Sequence, residues 1–289
     1  MGGGGSAEVP CGERSSTAPF AGREQTIGQL AVVEGFFWSL MGHADRSERS
    51  AESSEPGLGG KLLYIGELDE TGRALATAGN VAGAATLAAT ADASAQKRAI
   101  RDGVVDFLVN SLDEALRILK NEIRKREPAA VCVGREPERM EREMRERGVQ
   151  PDLLTEVCGE LRGAELSNRE TRIVRAAPMD ATQSWLAWGV AERPAQWMPK
   201  LDALVLDCVG ESERATLRWL RHAPAYMGRG TRDVRVLRCT PEAARTILKR
   251  MRDAVESGSI GVPLRMERLM GVAREEHAIN PPSISERAH

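Results

Sequence analysis

The sequence predicts the α/β fold class, and three observations carry that prediction. From Lys61 onward, short apolar runs typical of strands alternate with segments of helical periodicity. A second set of such alternations follows residue 158, and both ends of the chain are rich in small and polar residues with little to bury. Strands that alternate with helices form βαβ units. We therefore expect a Rossmann-like parallel sheet over residues 60–158, a second smaller α/β unit over residues 159–262, and flexible N- and C-terminal tails.

The N-terminal region, residues 1–59, is predicted to be mostly flexible. One segment within it, residues 24–41, is apolar enough to form a helix and carries the aromatic run Phe36, Phe37 and Trp38. Because aromatic side chains bury large areas when they pack, we expect this helix to dock on another surface of the protein.

Five apolar runs are the candidate strands of the first sheet: "KLLYIG", "AATLAAT", "DFLVN", "AAVCVG" and "DLLTEV". The helices between them are well marked. Ser111 and Glu114 form a capping box, and apolar residues follow it at helical spacing as far as Ile123. In the next helix Met140 and Met144 form a narrow apolar stripe, and a glycine ends the helix.

The second unit is predicted to contain the strands "ETRIVRAAP", "DALVLDCV" and "DVRVLRCT". Helices should lie between and after these strands, with Trp185 and Trp188 in the core or at an interface. Thr240 is the expected N-cap of the last of these helices, because Pro241 follows at its first position. Residues 263–289 are expected to form a final helix near Leu264–Glu276 and a polar tail.

Composition excludes several classes of protein. The 289 residues carry 40 Lys and Arg against 42 Asp and Glu, so no overall basic field indicates a nucleic-acid partner. Five scattered cysteines without C-x-x-C spacing predict neither a disulfide framework nor a zinc site, and we expect no metal. No apolar stretch reaches the roughly 18 residues that a membrane span needs. We expect a cytoplasmic protein, and association into a homo-oligomer stays open.

The segment from Gly66 to Leu87, "GELDETGRALATAGNVAGAATL", follows the first predicted strand and opens the first helix. A strand, a turn with glycine and a helix N-terminus form the place where a dinucleotide pyrophosphate binds in such folds. That turn is normally rich in glycine. Here Asp69 and Glu70 stand where the phosphates would approach.

Three local phrases resemble one known family over roughly residues 60–158. These are "SLDEALRILKNEIRKREP", "ERGVQPDLLTE" and the glycine Gly134, and together they resemble the NAD-binding Rossmann domain of urocanase (urocanate hydratase). The resemblance implies a tightly held NAD whose nicotinamide bonds to the substrate imidazole while water adds to the side chain. It also implies a glycine loop, G-L-G-G-M-G-G, which falls here on residues 67–73.

Only Leu68 and Gly72 of that glycine loop are kept. Arg73 and the helix N-terminus behind it could partly offset the lost glycines, and Asp92 lies where an acidic group would meet the ribose hydroxyls. The catalytic phrases of the family, Y-G-N-N and C-E-G-K-G-P-F-R-W, are missing, so catalytic residues stay unknown. If a nucleotide binds, the resemblance implies a site made of Gly66, Leu68, Asp69, Glu70, Gly72, Arg73, Asp92, Gly134, Arg135, Thr155 and Glu156.

A second group of candidate ligand-binding residues lies in "RWLRHAPAYMGRG": Arg221, His222, Tyr226 and Arg229. These side chains could contact an anionic or aromatic ligand, or they could simply form a helix end with a packed tyrosine. Residues 214–252 contain eleven Arg and Lys against two acidic residues. This basic block could meet an anionic ligand or partner, or acidic residues elsewhere in the chain could face it.

Three functions are consistent with these features. The preferred one is a urocanase-like protein of non-hydratase type that binds a small-molecule ligand or a protein partner in the cleft between its two α/β units. The second is an NAD-dependent urocanate hydratase-like enzyme of histidine degradation, completed by another subunit. The third is a structural or interaction protein that uses the aromatic helix and the basic block for assembly.

Overall fold

The computed structural model describes residues 23–44, 56–155, 171–175, 183–211, 213–228, 231–270 and 273–281. Within these residues the chain forms two sheets and eight helices that pack against them. The predicted fold class is confirmed: a Rossmann-like parallel sheet is followed by a second, smaller unit of strands and helices.

The first sheet has six strands, all parallel to their neighbours, in the order β3-β4-β2-β1-β5-β6. Its strands are β1 Leu62–Glu67, β2 Ala85–Ala89, β3 Phe107–Val109, β4 Ala129–Val133, β5 Leu153–Thr155 and β6 Arg172–Val174. The order reverses beside β1, because the chain adds strands on one side of β1 before β5 pairs with its other side. In open parallel sheets such a switch point is where ligands bind.

Helices cover both faces of this sheet. They are α1 Glu24–Gly42, α2 Glu70–Ala82, α3 Ala93–Arg101, α4 Leu112–Lys125 and α5 Pro137–Glu146. Helices α4 and α5 pack on one face of the sheet and enclose an apolar core. Met140 and Met144 are fully buried in this core, as predicted. The predicted capping of α4 is also present, since the Glu114 backbone N–H donates to the Ser111 hydroxyl at 3.3 Å. The other face packs on α1 and α2 and on the second unit.

Strand β6 corrects the predicted boundary between the two units. The run "ETRIVRAAP" was expected to open the second unit, but its residues Arg172–Val174 pair in parallel with β5 at the edge of the first sheet. A strand next in sequence to a sheet edge pairs there readily, because consecutive elements are usually neighbours in space. The first sheet therefore extends beyond residue 158.

The second sheet has four antiparallel strands in the order β10-β9-β7-β8. Its strands are β7 Ser184–Val190, β8 Val234–Cys239, β9 Leu264–Met270 and β10 Ala273–Ile279, and its helices are α6 Pro194–Leu206, α7 Arg214–Tyr226 and α8 Pro241–Glu256. Helices α6 and α8 cover one face, while α1 and α7 pack against the other. Thr240 caps α8 as predicted, accepting from the Ala243 backbone N–H at 3.2 Å.

Three sequence predictions for this second unit were wrong. The segment that holds Trp185 and Trp188 is strand β7 rather than a helix, and helices cover both of its faces, so every residue in it is buried. The run "DALVLDCV" lies in α6 and the turn after it, because Trp197, Leu201 and Val205 recur at helical spacing and are buried together. The predicted final helix near Leu264–Glu276 is the hairpin of β9 and β10.

Helix α1 joins the two units. As predicted it forms and docks: the fully buried Phe37 ring lies 5.1 Å from the Trp219 ring of α7. On the same helix the buried Glu34 carboxylate accepts from the Arg238 guanidinium of β8 at 3.3 Å. Helix α7 adds a second link, since Arg218 Nε donates to the Val81 carbonyl near the end of α2 at 2.8 Å. The two units are therefore fixed against each other through α1 and α7.

Candidate functional site

A small cavity lies at the carboxyl ends of β1 and β2, where the glycine loop was expected. We call it the crevice; it has a volume of about 440 Å³ and is lined by Gln29, Glu67, Leu68, Asp69, Glu70, Arg73, Thr90, Asp92, Ala95 and Arg98. Five of the predicted nucleotide-site residues line it: Leu68, Asp69, Glu70, Arg73 and Asp92. The side chains that face it include four carboxylates and two guanidiniums, so the crevice is acidic.

Asp69 occupies the N-terminus of α2 with its own side chain. Its backbone is extended, and its carboxylate accepts from the Gly72 backbone N–H at 2.8 Å. This is N-capping, in which a side-chain oxygen takes one of the free N–H groups of the first helical turn. A pyrophosphate bound at a helix N-terminus would use these same groups. At this helix one of them is already satisfied by a negative charge from the chain itself.

Gly72 is kept for packing rather than for ligand approach. A Cβ at this position would lie 2.1 Å from the Glu67 carbonyl oxygen, a distance that no side chain tolerates. The first turn of α2 therefore sits directly on the end of β1. Gly66 has a different role, because its φ of +72° coincides with a register shift between β1 and β2.

Arg73 lines the crevice but turns away from the α2 N-terminus. Its Nη2 donates to Asp102 Oδ2 at 2.8 Å, in the turn that follows α3. Asp102 also accepts from Arg101 Nε at 3.1 Å. Partial burial would raise the Asp102 pKa, but hydrogen bonds from the two arginines lower it below its usual value. Arg73 Nη1 is buried and has no hydrogen-bond partner.

Asp92 is also used as a helix cap. Its carboxylate accepts from the Ser94 backbone N–H at 2.7 Å at the start of α3 and lies 3.7 Å from Arg98. Its other surface is exposed to the crevice. Asp92 therefore has the position expected from the sequence, with much of its hydrogen-bonding capacity already engaged.

The remaining predicted nucleotide-site residues do not line the crevice. Arg135 points to the neighbouring helix, with its Nε on the Asn110 carbonyl at 3.1 Å and its Nη1 on Glu143 at 2.8 Å. Gly134 lies against Gln96 and Asn110. Thr155 ends β5 and is buried, and its hydroxyl has no hydrogen-bond partner. Glu156 lies outside the described residues.

A larger cavity opens next to the crevice, between the two units. We call it the cleft; its volume is about 1210 Å³, and it is bounded by the outer face of α1, the first turns of α2, the turn after α3, and the end of α7 with the residues that follow. Gln29, Glu70 and Arg73 line both cavities. The crevice and the cleft therefore adjoin one another along the first turn of α2.

The cleft has apolar walls and a charged floor. Val32 and Ile100, which are 48% and 41% exposed, face it together with the more buried Leu30, Val33 and Val104. Its charged residues are Glu70, Arg73, Arg101, Asp102 and Arg232. Exposed apolar side chains that line a concave surface are typical of a binding site.

Of the three candidates in the second group that the structure describes, Tyr226 alone lines the cleft. Partial burial, together with the nearby Asp106 carboxylate, raises the pKa of its hydroxyl, which therefore stays protonated at neutral pH. Arg221 is exposed and His222 half-buried on the same helix, and neither lines the cleft. Arg229 lies outside the described residues. Sequence reasoning placed Arg232 in the basic block but missed Val32 and Ile100, because these residues meet only through the packing of α1, α3 and α7.

Parts of the basic block have partners inside the protein. Arg235 lies 3.2 Å from Asp202 of α6, and Arg238 is paired with Glu34. This supports the interpretation that acidic residues elsewhere face these two arginines. Cys132 and Cys239 are buried, and burial raises the pKa of each thiol to about 12. Among the described residues no group of three or more His, Cys, Asp or Glu side chains is placed to hold a metal ion.

No helix within the described ranges is both long and apolar enough to cross a membrane. Comparison with known proteins agrees with the geometry of the first sheet. Residues 30–160 match the family model of the urocanase Rossmann-like domain. The match begins inside α1, thirty residues before the boundary that the sequence predicts.

A curated relative, S-methyl thiourocanate hydratase from Variovorax sp. (strain JCM 16519 / RA8), is 25% identical over 134 residues. That alignment covers 46% of this chain and 23% of the relative. The chain therefore matches less than a quarter of the hydratase. Strands β1 to β5 and the switch point beside β1 lie within the matched range, so this part of the chain is similar to the urocanase Rossmann-like domain in sequence and in the order of its elements.

Proposed function

We propose that this protein is a urocanase Rossmann-domain-like protein of non-hydratase type, which binds a small ligand in the cleft between its two units. The observation that carries the proposal is the hydrogen bond that the Gly72 backbone N–H donates to the Asp69 carboxylate. This bond lies at the helix N-terminus where NAD would place its pyrophosphate. The remainder of the proposal follows from the charges of the crevice and the shape of the cleft.

Two effects would oppose the binding of a pyrophosphate at the α2 N-terminus. It would have to displace the Asp69 cap, which typically contributes about 1 kcal/mol to a helix. It would also lie beside the exposed Asp69 and Glu70 carboxylates, and like charges about 4 Å apart repel by roughly 1 kcal/mol in water and about 4 kcal/mol near a protein surface. The guanidinium that could offset this repulsion, Arg73, is paired with Asp102. The residues present therefore do not fit a dinucleotide in this orientation.

The cleft has the usual features of a small-ligand site, which the crevice lacks. Ligand sites are usually concave, mainly apolar and fitted with a few polar groups, and they often lie between domains. The cleft joins both units, its walls carry exposed aliphatic side chains, and polar groups such as Tyr226 and Gln29 lie at its margin. The missing catalytic phrases of the urocanase family support a binding role rather than hydration.

A release assay tests the first half of this proposal. The freshly purified protein is denatured and the supernatant is assayed for NAD, before and after incubation with excess cofactor. We expect no NAD in either case. Stoichiometric NAD would overturn the proposal and show that the α2 N-terminus accepts the pyrophosphate despite its cap.

A pair of glycine substitutions tests the second half. Gly28 and Gly42 both lie on α1, and a Cβ at either position meets nothing within 4 Å, but only Gly28 lines the cleft. Gly28→Trp should fill the cleft without disturbing the fold, and Gly42→Trp is the matched control. Thermal shifts are measured with a small-molecule collection. Ligands that stabilise the parent protein and the Gly42→Trp variant should lose their effect in Gly28→Trp, and the cleft is the wrong site if they do not.

A second candidate function is an NAD-dependent, urocanate hydratase-like enzyme that another subunit completes. The name of the matched relative favours it, because that protein is a hydratase of a urocanate derivative. Urocanate absorbs in the ultraviolet, so its turnover can be followed directly with the purified protein alone and with added cell lysate. No loss of absorbance in either mixture would exclude this candidate.

A further inference from the structure

We propose that the cleft selects a small aliphatic carboxylate, with its carboxylate toward the arginines of the floor and its hydrocarbon body against α1 and the turn after α3. This inference rests on the proposed function, because it names the class of ligand that the cleft would take. It is carried by the balance of charge in the cleft, by one donor without a partner, and by the aliphatic character of the walls.

The charge of the cleft differs in sign from that of the crevice. Three guanidiniums line the cleft, those of Arg73, Arg101 and Arg232, and two carboxylates, those of Glu70 and Asp102, face them. In the crevice the carboxylates of Glu67, Asp69, Glu70 and Asp92 outnumber the guanidiniums of Arg73 and Arg98. A mobile anion will therefore favour the cleft over the crevice, since the excess of guanidiniums attracts it in the cleft and the excess of carboxylates repels it in the crevice.

The protein does not provide a carboxylate or another acceptor for every guanidinium of the cleft floor. Asp102 is shared between Arg73 and Arg101, so a single carboxylate balances two guanidiniums. Arg73 Nη1 is buried without an acceptor, and a buried donor that lacks a partner destabilises the folded protein. Among the described residues no carboxylate lies within 4.0 Å of the exposed Arg232. A ligand carboxylate would supply the missing acceptor after a small shift of the Arg73 side chain.

The walls restrict the remainder of the ligand. Val32 and Ile100 are among the most exposed large apolar side chains of the described residues, and both face the cleft. A ligand that covers them would remove apolar area from water, which favours binding. Because Leu30, Val33 and Val104 beside them are aliphatic as well, a hydrocarbon chain fits these walls better than a second polar group.

Calorimetric titration of the full chain with three matched six-carbon probes tests this proposal. Hexanoate, hexan-1-ol and hexylamine share one body and differ in the charge of the head group. We expect hexanoate to bind about tenfold more tightly than hexan-1-ol, which is the effect of one favourable short-range charge interaction, and hexylamine to bind most weakly. Added salt should weaken the binding of hexanoate and leave that of hexan-1-ol unchanged.

Two exposed arginines give matched variants. Arg232→Gln removes a cation from the cleft and should weaken hexanoate binding about three- to tenfold without changing hexan-1-ol binding. Arg252→Gln removes a cation from the exposed face of α8, which does not line the cleft, and should change neither. Equal effects of the two variants would mean that only the overall charge of the protein matters, which would overturn the proposal.

The outcomes separate this inference from the proposed function. If hexylamine or hexan-1-ol binds as tightly as hexanoate, or if none of the three binds, the carboxylate class is wrong. If inorganic phosphate or urocanate binds as tightly as hexanoate, the aliphatic walls do not select the ligand, and the inference again fails. In each of these cases cleft binding itself is judged by Gly28→Trp against Gly42→Trp. If Gly28→Trp leaves hexanoate binding intact, the cleft is not the site, and the inference fails together with the cleft.

Discussion

The crevice and the cleft adjoin one another and share Arg73, but they differ in how their polar groups are satisfied. In the crevice, Asp69 and Asp92 each cap a helix, so one backbone N–H at the start of each helix is already bonded within the chain. In the cleft, two arginines share Asp102 and one donor lacks an acceptor. On the proposed function, the carboxylates close the position where the family binds its dinucleotide, and the unsatisfied groups next to it offer another place for a ligand.

The largest expected effect concerns the packing beneath the crevice. Gly72→Ala would place a Cβ 2.1 Å from the Glu67 carbonyl oxygen, and backbone cannot move aside as a flexible side chain would. We expect a loss of at least about 3 kcal/mol in the free energy of unfolding, measured by urea denaturation.

The control for that prediction is Gly28→Ala on α1, where a Cβ meets nothing within 4 Å. It should stabilise the protein by about 0.5–1 kcal/mol, because alanine favours a helix more than glycine does. If Gly72→Ala were as stable as the parent protein, α2 would not sit on the end of β1 as described.

The second prediction concerns Glu34, which lies beneath the cleft on the inner side of α1. Its carboxyl is fully buried, and burial raises its pKa from 4.5 to about 7, although Arg238 and a hydrogen bond from Trp38 oppose that rise. In the folded protein Glu34 therefore holds its proton at pH values where the unfolded chain has lost it. The stability that this group contributes is complete below about pH 4.5 and is lost as the pH rises through 7.

The size of the effect follows from the difference between the two pKa values. It corresponds to about 3 kcal/mol of unfolding free energy between pH 4.5 and pH 8. Urea denaturation across that range should show the decline, and Glu34→Gln should flatten it. Glu24→Gln, an exposed position on the same helix, is the control. A decline of unchanged slope in Glu34→Gln would assign the pH dependence to other groups.

The sequence was sufficient for strands β1 to β5 of the first sheet and for the position of the crevice, but not for strand β6, for strand β7 or for most of the cleft lining. Strands β1 to β5 and helices α2 to α5 are each marked by local sequence patterns. One of these patterns, the capping of α4 by Ser111, is present in the folded protein. Strand β7 has helices on both faces, so it lost the alternation that distinguishes a strand, and it was taken for a helix. The apolar end of α6 read as a strand for a similar reason, because four apolar residues in succession suit either structure.

A cleft between the two units was expected, but most of the residues that line it were not, and for a different reason. Its lining comes from α1, α2, the turn after α3 and the end of α7, which are far apart in the chain. Val32 and Ile100 look like ordinary core residues in the sequence, and only their exposure in the folded protein distinguishes them. Local patterns record which residues share a face of one element, whereas a cleft depends on how separate elements pack.

The smallest expected effect concerns the closure of the crevice by Asp69. Asp69→Ala removes the cap of α2 and should lower the free energy of unfolding by about 1 kcal/mol, while Asp69→Asn keeps the cap, removes the charge and should change stability by only a few tenths of a kcal/mol. Adding Glu70→Gln to Asp69→Asn removes two negative charges from the crevice and leaves the helix intact. If charge keeps the crevice closed to phosphates, this double variant should gain salt-sensitive binding of inorganic pyrophosphate, detected by calorimetry, whereas the parent protein should show none. If the variant still does not bind pyrophosphate, then the missing glycines and the side chains that replaced them close the crevice by shape. The contrast between crevice and cleft would then be one of space rather than of charge.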